Sequence, residues 1–292
     1  MKRGLSIGFF FVMLCSSRWL SHAEALPRES SDRLRAVFQI LGRSPSGREL
    51  LEAAQDHWKL SSEKELSRFI KWDRSSRTDA VLIRHFNPSS GVEERERQVT
   101  VSLKSTQRLE EIVLDLAHEL IHATAQPAWD PYDPQLSAAQ YVHAAIEGKG
   151  GEVEAVVREC QVALELAPIL KSESLGRCEP YIEDEAVVAS LVRQDFYRVG
   201  SWHSKLLKEF GKDHERFPLL SAKAPRLYSS TGHSPYPAAL LQEFQELTAS
   251  ACENSKNRLK TLSASRRSPS AEGSGQSLEK VQDFIERRCR SE

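Results

Sequence analysis

The stretch that most constrains this chain is His118-Glu119-Leu120-Ile121-His122, set within the run from Leu109 to Ala125. Leu109, Ile112, Val113, Leu116 and Leu120 recur at helical spacing, which predicts an amphipathic helix with one buried stripe. At about 100° per residue, His118 and His122 lie about 40° apart, on a face well away from that stripe. Glu119 falls just beside them, and Asp115 and Glu111 continue the same face toward the N-terminus. Such a helix must pack its apolar side on other elements and turn two imidazoles and a carboxylate toward a shared space.

The chemistry accounts for the spacing. Two neutral imidazoles one turn apart can both reach a tetrahedral ion at about 2.0–2.1 Å. A glutamate next to the first histidine is too far round to ligate, yet close enough to take a proton from metal-bound water. The pattern therefore predicts a zinc centre with His118 and His122 as ligands and Glu119 as general base. The plain alternative is an ordinary amphipathic helix that carries the pentapeptide by chance.

Composition sets the bounds. The chain has 292 residues, 40% of them hydrophobic and 28% charged, which suits one globular domain with extensions. A formal net charge of −1 gives no argument for nucleic acid or for an anionic membrane surface as partner. Residues 1–25 read as a cleaved signal peptide: Lys2 and Arg3, an apolar core over 5–15, then Ala23-Glu24-Ala25 as the cleavage site. That core is too short to span a bilayer, so no integral membrane span is expected in the mature chain. Lipid attachment at Cys15 is the second reading, disfavoured by the bulky Leu14. The expected location is periplasmic or extracellular. Cleavage leaves Cys160, Cys178, Cys252 and Cys289, which fit two disulfides. Three pairings are possible, and closing a helix hairpin favours Cys160 with Cys178, leaving Cys252 to hold the tail through Cys289.

Taken in order, residues 31–42 and 44–58 read as helices, the second with Ser44 as N-cap and Pro45 at its first position. Residues 66–72, 80–86 and 98–104 have strand character, and the last alternates with Val99, Val101 and Leu103 on one face. Residues 87–91 read as the turn between the second and third strands. After the motif helix, Pro127, Pro131 and Pro134 predict a surface loop near the mouth of the site. Residues 137–146 are helical in pattern, and Gly148, Gly150 and Gly151 interrupt the chain before a helix beginning at Glu152. The remainder, to about 260, is mostly helical in pattern. Residues 263–277, rich in Ser, Arg and Gly, read as a flexible linker, and 278–292 as a helical tail. The domain itself is expected over 26–262. The sum is an α+β fold in which a small N-terminal sheet packs on the motif helix.

The motif on a helix, preceded by a small sheet and followed by Gly151-Glu152-Val153-Glu154-Ala155, resembles the zincin metallopeptidases. The downstream glutamate element is similar to that of the gluzincin branch. The resemblance covers residues 98–160. It implies a zincin-like fold, zinc as cofactor, Glu152 as third ligand and water in the fourth position. It also implies a peptide or protein substrate that pairs along an edge strand, here residues 98–104. The branch often places an Asp directly after the Ala to support a ligand histidine. Val156 stands there instead, leaving Glu159 or Asp115 for that role. Zincins often add a Tyr or His that stabilises the oxyanion. Tyr141, His143, His203, Tyr228, His233 and Tyr236 remain open for it.

Three carboxylates compete for the third position. In a helix starting at Glu152, the residues Glu154, Arg158, Gln161 and Glu165 form one stripe expected to face water. Glu152 points about 200° away from Glu154, toward the buried side, where a carboxylate needs a compensating cation. Glu147 precedes three glycines, an expected mobile position and a poor place for a rigid ligand. Glu152 is the expected ligand. The function implied is that of an exported zinc metallopeptidase. Its rivals are a non-catalytic exported protein of the same fold and an envelope-binding module.

Overall fold

The computed structural model describes residues 28–86, 93–170, 176–229, 233–265 and 274–289, so the signal segment and the turn at 87–91 lie outside the described residues. Two helices lead: α1 (Arg28–Leu41) and α2 (Pro45–Trp58). Leu34, Val37, Phe38 and Leu41 bury one face of α1. Ser44 caps α2 by accepting from the Gly47 N–H at 2.8 Å, worth about 1 kcal/mol, and Pro45 follows at the first position.

A short 3-10 turn (Glu63–Phe69) then enters a three-stranded sheet of β1 (Ile70–Asp73), β2 (Arg77–Phe86) and β3 (Glu93–Lys104). Its order is β1-β3-β2, with β1 parallel and β2 antiparallel to β3. Val99, Val101 and Leu103 point into the core as the alternation predicted. The edge-strand expectation is corrected for 101–104, which lie between β1 and β2, while 98–100 pair with β2 alone, and β2 is the edge beside the site. The strands flanking the turn also begin earlier than their apolar runs, because charged residues such as Arg77, Glu94 and Arg95 pair through backbone bonds that ignore side-chain polarity.

The motif helix α3 (Leu109–Thr124) is buried on more than one stripe. Ile112, Leu114, Leu116 and Leu120 are all fully buried, each contributing about 1.5–3 kcal/mol, because α1 and α2, the sheet and the later α5 pack around it. Next come α4 (Ala138–Glu147), opened by a capping box of Ser137 and Gln140, and α5 (Glu152–Glu165). The glycines between them form a tight crossing rather than a mobile break. Gly150 has φ +73°, and a Cβ there would lie 2.0 Å from the Ala125 Cβ at the end of α3.

A two-stranded ribbon, β4 (Ile182–Glu183) and β5 (Ala186–Val187), leads to α6 (Ala189–Phe196) and α7 (His203–Phe210). A long helix α8 (Tyr236–Ser265) and a last helix α9 (Ser274–Arg288) complete the chain. The ends of the expected linker, 263–265 and 274–277, are therefore helical, and its centre lies outside the described residues. Cys160 pairs with Cys178, and Cys252 pairs with Cys289, fixing α9 to α8 around Ala251 and Phe284. These disulfides fit an exported protein. No helix among the described residues is long and apolar enough to cross a membrane. The architecture is α+β, with α3 at its centre.

Candidate metal centre

The outer face of α3 presents His118 and His122 to the start of α5. The two imidazoles are oriented through their Nδ1 atoms. His118 Nδ1 lies 3.0 Å from Glu159 Oε2, and His122 Nδ1 donates to the Gly150 carbonyl at 2.8 Å. Both rings therefore hold a proton on the outer nitrogen and turn Nε2 inward. The two Nε2 atoms stand 3.1 Å apart. Two lone pairs at that separation need a cation between them, either a proton or a metal ion.

Glu152, the first residue of α5, closes the third side. Its carboxylate oxygens lie 3.5 Å from His118 Nε2 and 3.7 Å from His122 Nε2. Ligands about 2.0–2.1 Å from a tetrahedral ion stand about 3.3–3.4 Å from one another, so the three donors are spaced to hold one ion. Glu152 Oε2 is buried without a hydrogen-bond partner, an atom with unused coordinating capacity. Burial alone would raise the Glu152 pKa, but His122, His118 and the Tyr236 phenol outweigh it and hold the carboxyl below its usual range. Burial likewise pulls His118 down, and Glu152 and Glu159 reverse it, leaving that imidazole well above the usual histidine value.

The competing carboxylates go elsewhere. Glu154 is exposed and accepts from the Gly150 N–H at 2.7 Å, which braces the glycine crossing. Glu147 pairs with Arg193 at 2.7 Å and is not among the carboxylates grouped with the histidines. The stripe expected to face water is exposed at both ends, Glu154 and Glu165, and half-buried between them at Arg158 and Gln161. Glu165 accepts from the Ser46 N–H (2.9 Å) and hydroxyl (2.7 Å), and Arg158 pairs with Glu49, so this face docks on the start of α2.

Glu119 is buried beside His118 and His122. Its carboxylate accepts from the Thr78 hydroxyl of β2 at 2.7 Å. Burial raises its pKa above the usual glutamate range, with His118, His122 and Thr78 opposing. Behind His118, Arg177 donates to Glu159 at 2.5 Å and to Asp115 at 2.9 Å. Asp115 also accepts from the Ser76 hydroxyl. Of the two candidates to support a ligand histidine, Glu159 does so directly, and Asp115 acts on Glu159 through Arg177.

A cleft of about 560 Å³ opens onto these groups, walled by β2 on one side and by α4 and α8 on the other. Among the six aromatic and histidine candidates, Tyr236 and Tyr141 line it. Tyr236 lies beside Glu152: burial raises its pKa well above the usual tyrosine value, followed by Glu152 and Glu119. Tyr141 sits between Trp129 and Phe244. His143 packs on Phe217, Tyr228 and His233 are exposed, and His203 opens α7; none of these lines the cleft. Sequence reasoning missed Thr78, the Gly150 carbonyl and Arg177. Only Arg177 carried a signal, its place next to Cys178.

Comparison with protein-family models, with characterised proteins and with solved structures finds no match to this chain.

Proposed function

We propose that this chain is an exported zinc metallopeptidase of the gluzincin type. The observation that carries the reading is the facing pair of Nε2 atoms, 3.1 Å apart and each fixed from behind, with an unpartnered Glu152 oxygen beside them. His118, His122 and Glu152 would hold the zinc, which when bound polarises a peptide carbonyl and makes water more acidic.

The chain's own groups supply the rest. Glu119, oriented by Thr78, takes a proton from the attacking water and passes it to the leaving amine. Its raised pKa brings it closer to the neutral value that suits such a transfer. Tyr236 donates a hydrogen bond to the carbonyl oxygen as that atom gains charge. The free edge of β2, which lines the cleft through Arg77, Thr78 and Ala80, pairs with an extended substrate backbone.

The test is elemental analysis of the purified mature chain, followed by turnover of an unfolded protein substrate with and without a chelator. About one zinc per chain and chelator-sensitive cleavage support the reading. Absence of zinc overturns it, and zinc without turnover leaves the non-catalytic rival.

A further inference from the structure

The cleft is asymmetric in charge. On the β2 side its cations are already engaged: Arg77 pairs with Asp73 at 2.8 Å and Asp79 at 3.1 Å, and Arg97 donates to the Ala125 carbonyl at 2.8 Å, while the third cation of the lining, the exposed Lys149, stands between α4 and α5. On the α8 side, Glu243 is open to the cleft and Glu246 lies one turn beyond it. Among the described residues, the groups that act on Glu243 are the Tyr141 phenol and the carboxylates of Glu152 and Glu246, with no cation in the set. Glu243 is exposed on the cleft wall, so its carboxylate can be reached directly by an incoming cationic group.

Position makes this more than an acidic surface. Tyr236 and Glu243 lie on the same side of α8, seven residues apart, which is about 10 Å along the helix. Tyr236 is at the metal-binding group, and Glu243 is therefore two turns along the cleft wall from it. That span matches about three extended residues, or one residue plus a long basic side chain.

We propose that Glu243 makes the cleft selective for substrates that carry a positive charge, an ammonium or a guanidinium group, within a few residues of the cleaved bond. The inference rests on the metallopeptidase reading. The cation can belong to a Lys or Arg side chain or to a free N-terminus, since both present the same chemistry to a carboxylate. Glu246 adds to the local field, while Tyr141 fixes the floor against which the cationic group packs.

The experiment uses the full mature chain loaded with zinc and a set of peptides with blocked ends. Each peptide carries Arg, Lys, citrulline or norleucine at successive positions, and a parallel set has a free N-terminus. A preference of about tenfold in kcat/KM for the cationic member is expected, the size of one ion pair in a partly water-excluded cleft. Glu243→Gln is expected to bring that ratio to within about twofold of unity, and Glu243→Lys to favour acidic peptides instead. Glu253→Gln, an exposed carboxylate further along α8, leaves the ratio unchanged. Preference in the blocked set assigns the cation to a side chain, and preference only in the free set assigns it to the N-terminus. No preference, or one that survives Glu243→Gln, overturns the proposal. If zinc binds but nothing is cut, calorimetric binding of arginine-containing against citrulline-containing peptides decides it by the same ratio and the same variant. Absence of zinc would instead count against the metallopeptidase reading.

Discussion

Glu159 Oε2 lies 3.0 Å from His118 Nδ1, so the residue two turns beyond Glu152 on α5 orients the first histidine of the motif. One helix thus delivers both the third donor and the group behind the first. Arg177 holds Glu159 in turn, and the Cys160–Cys178 disulfide ties the residues next to both of them. The geometry of the site is set by a relay, and each member can be tested separately.

Glu152 and Glu154 should separate cleanly. Glu152→Ala is expected to lose stoichiometric zinc, because only two protein donors remain. Glu154→Ala should retain the metal and lose only the brace on Gly150. Metal content after dialysis measures both, and the opposite result would mean that the wrong carboxylate faces the histidines.

Glu119→Gln should keep its zinc and lose turnover by about 10²–10⁴-fold, the usual range for a general base. Tyr236→Phe should lower kcat by about 10²-fold, with little change in KM, if the phenol acts only on developing charge. Steady-state kinetics on one peptide checks both, and a Glu119→Gln enzyme near the parent rate would remove Glu119 from the mechanism.

Metal binding should strengthen with rising pH. The His118 imidazole must be unprotonated to ligate, and Glu152 and Glu159 hold its pKa well above the usual histidine value in the metal-free protein. Below that pKa each unit of pH should therefore gain about tenfold in apparent affinity, and above it the dependence should level off. Glu159→Gln removes one stabilising charge, so the levelling should come at lower pH, with affinity about 10–100-fold weaker. Chelator competition from pH 6 upward, continued until the dependence levels off, reads both effects. An unchanged curve would show that Glu159 does not act on His118.

Replacing Cys160 and Cys178 together by Ser should cost about 3 kcal/mol, from the loop they close, whose ends are 18 residues apart. Zinc affinity should fall as well, since Arg177 loses its anchor. Denaturant melts and metal titrations of the double variant provide the check. Loss of stability with unaltered affinity would confine the disulfide to a structural role.

Features set by local periodicity were determined by the sequence alone. The motif helix, the phase that puts Glu152 inward and Glu154 outward, the alternation of Val99, Val101 and Leu103, and the Ser44 cap all depend on contacts within a few residues. The cysteine pairing also agreed, because neighbouring cysteines close the shortest loops. Features hidden from the sequence depend on segments that meet from far apart. Glu159 lies 41 residues from His118, and Thr78 41 residues from Glu119, so no period links them. Strand order was hidden for a similar reason: alternation says which face is buried, but a strand with one neighbour and a strand with two can carry the same alternation. The glycines at 148, 150 and 151 show the limit most clearly. Locally they permit motion, yet packing against Ala125 makes them a close crossing that brings the Gly150 carbonyl to His122. Tertiary contact, not chain preference, decides which of the conformations open to glycine is kept.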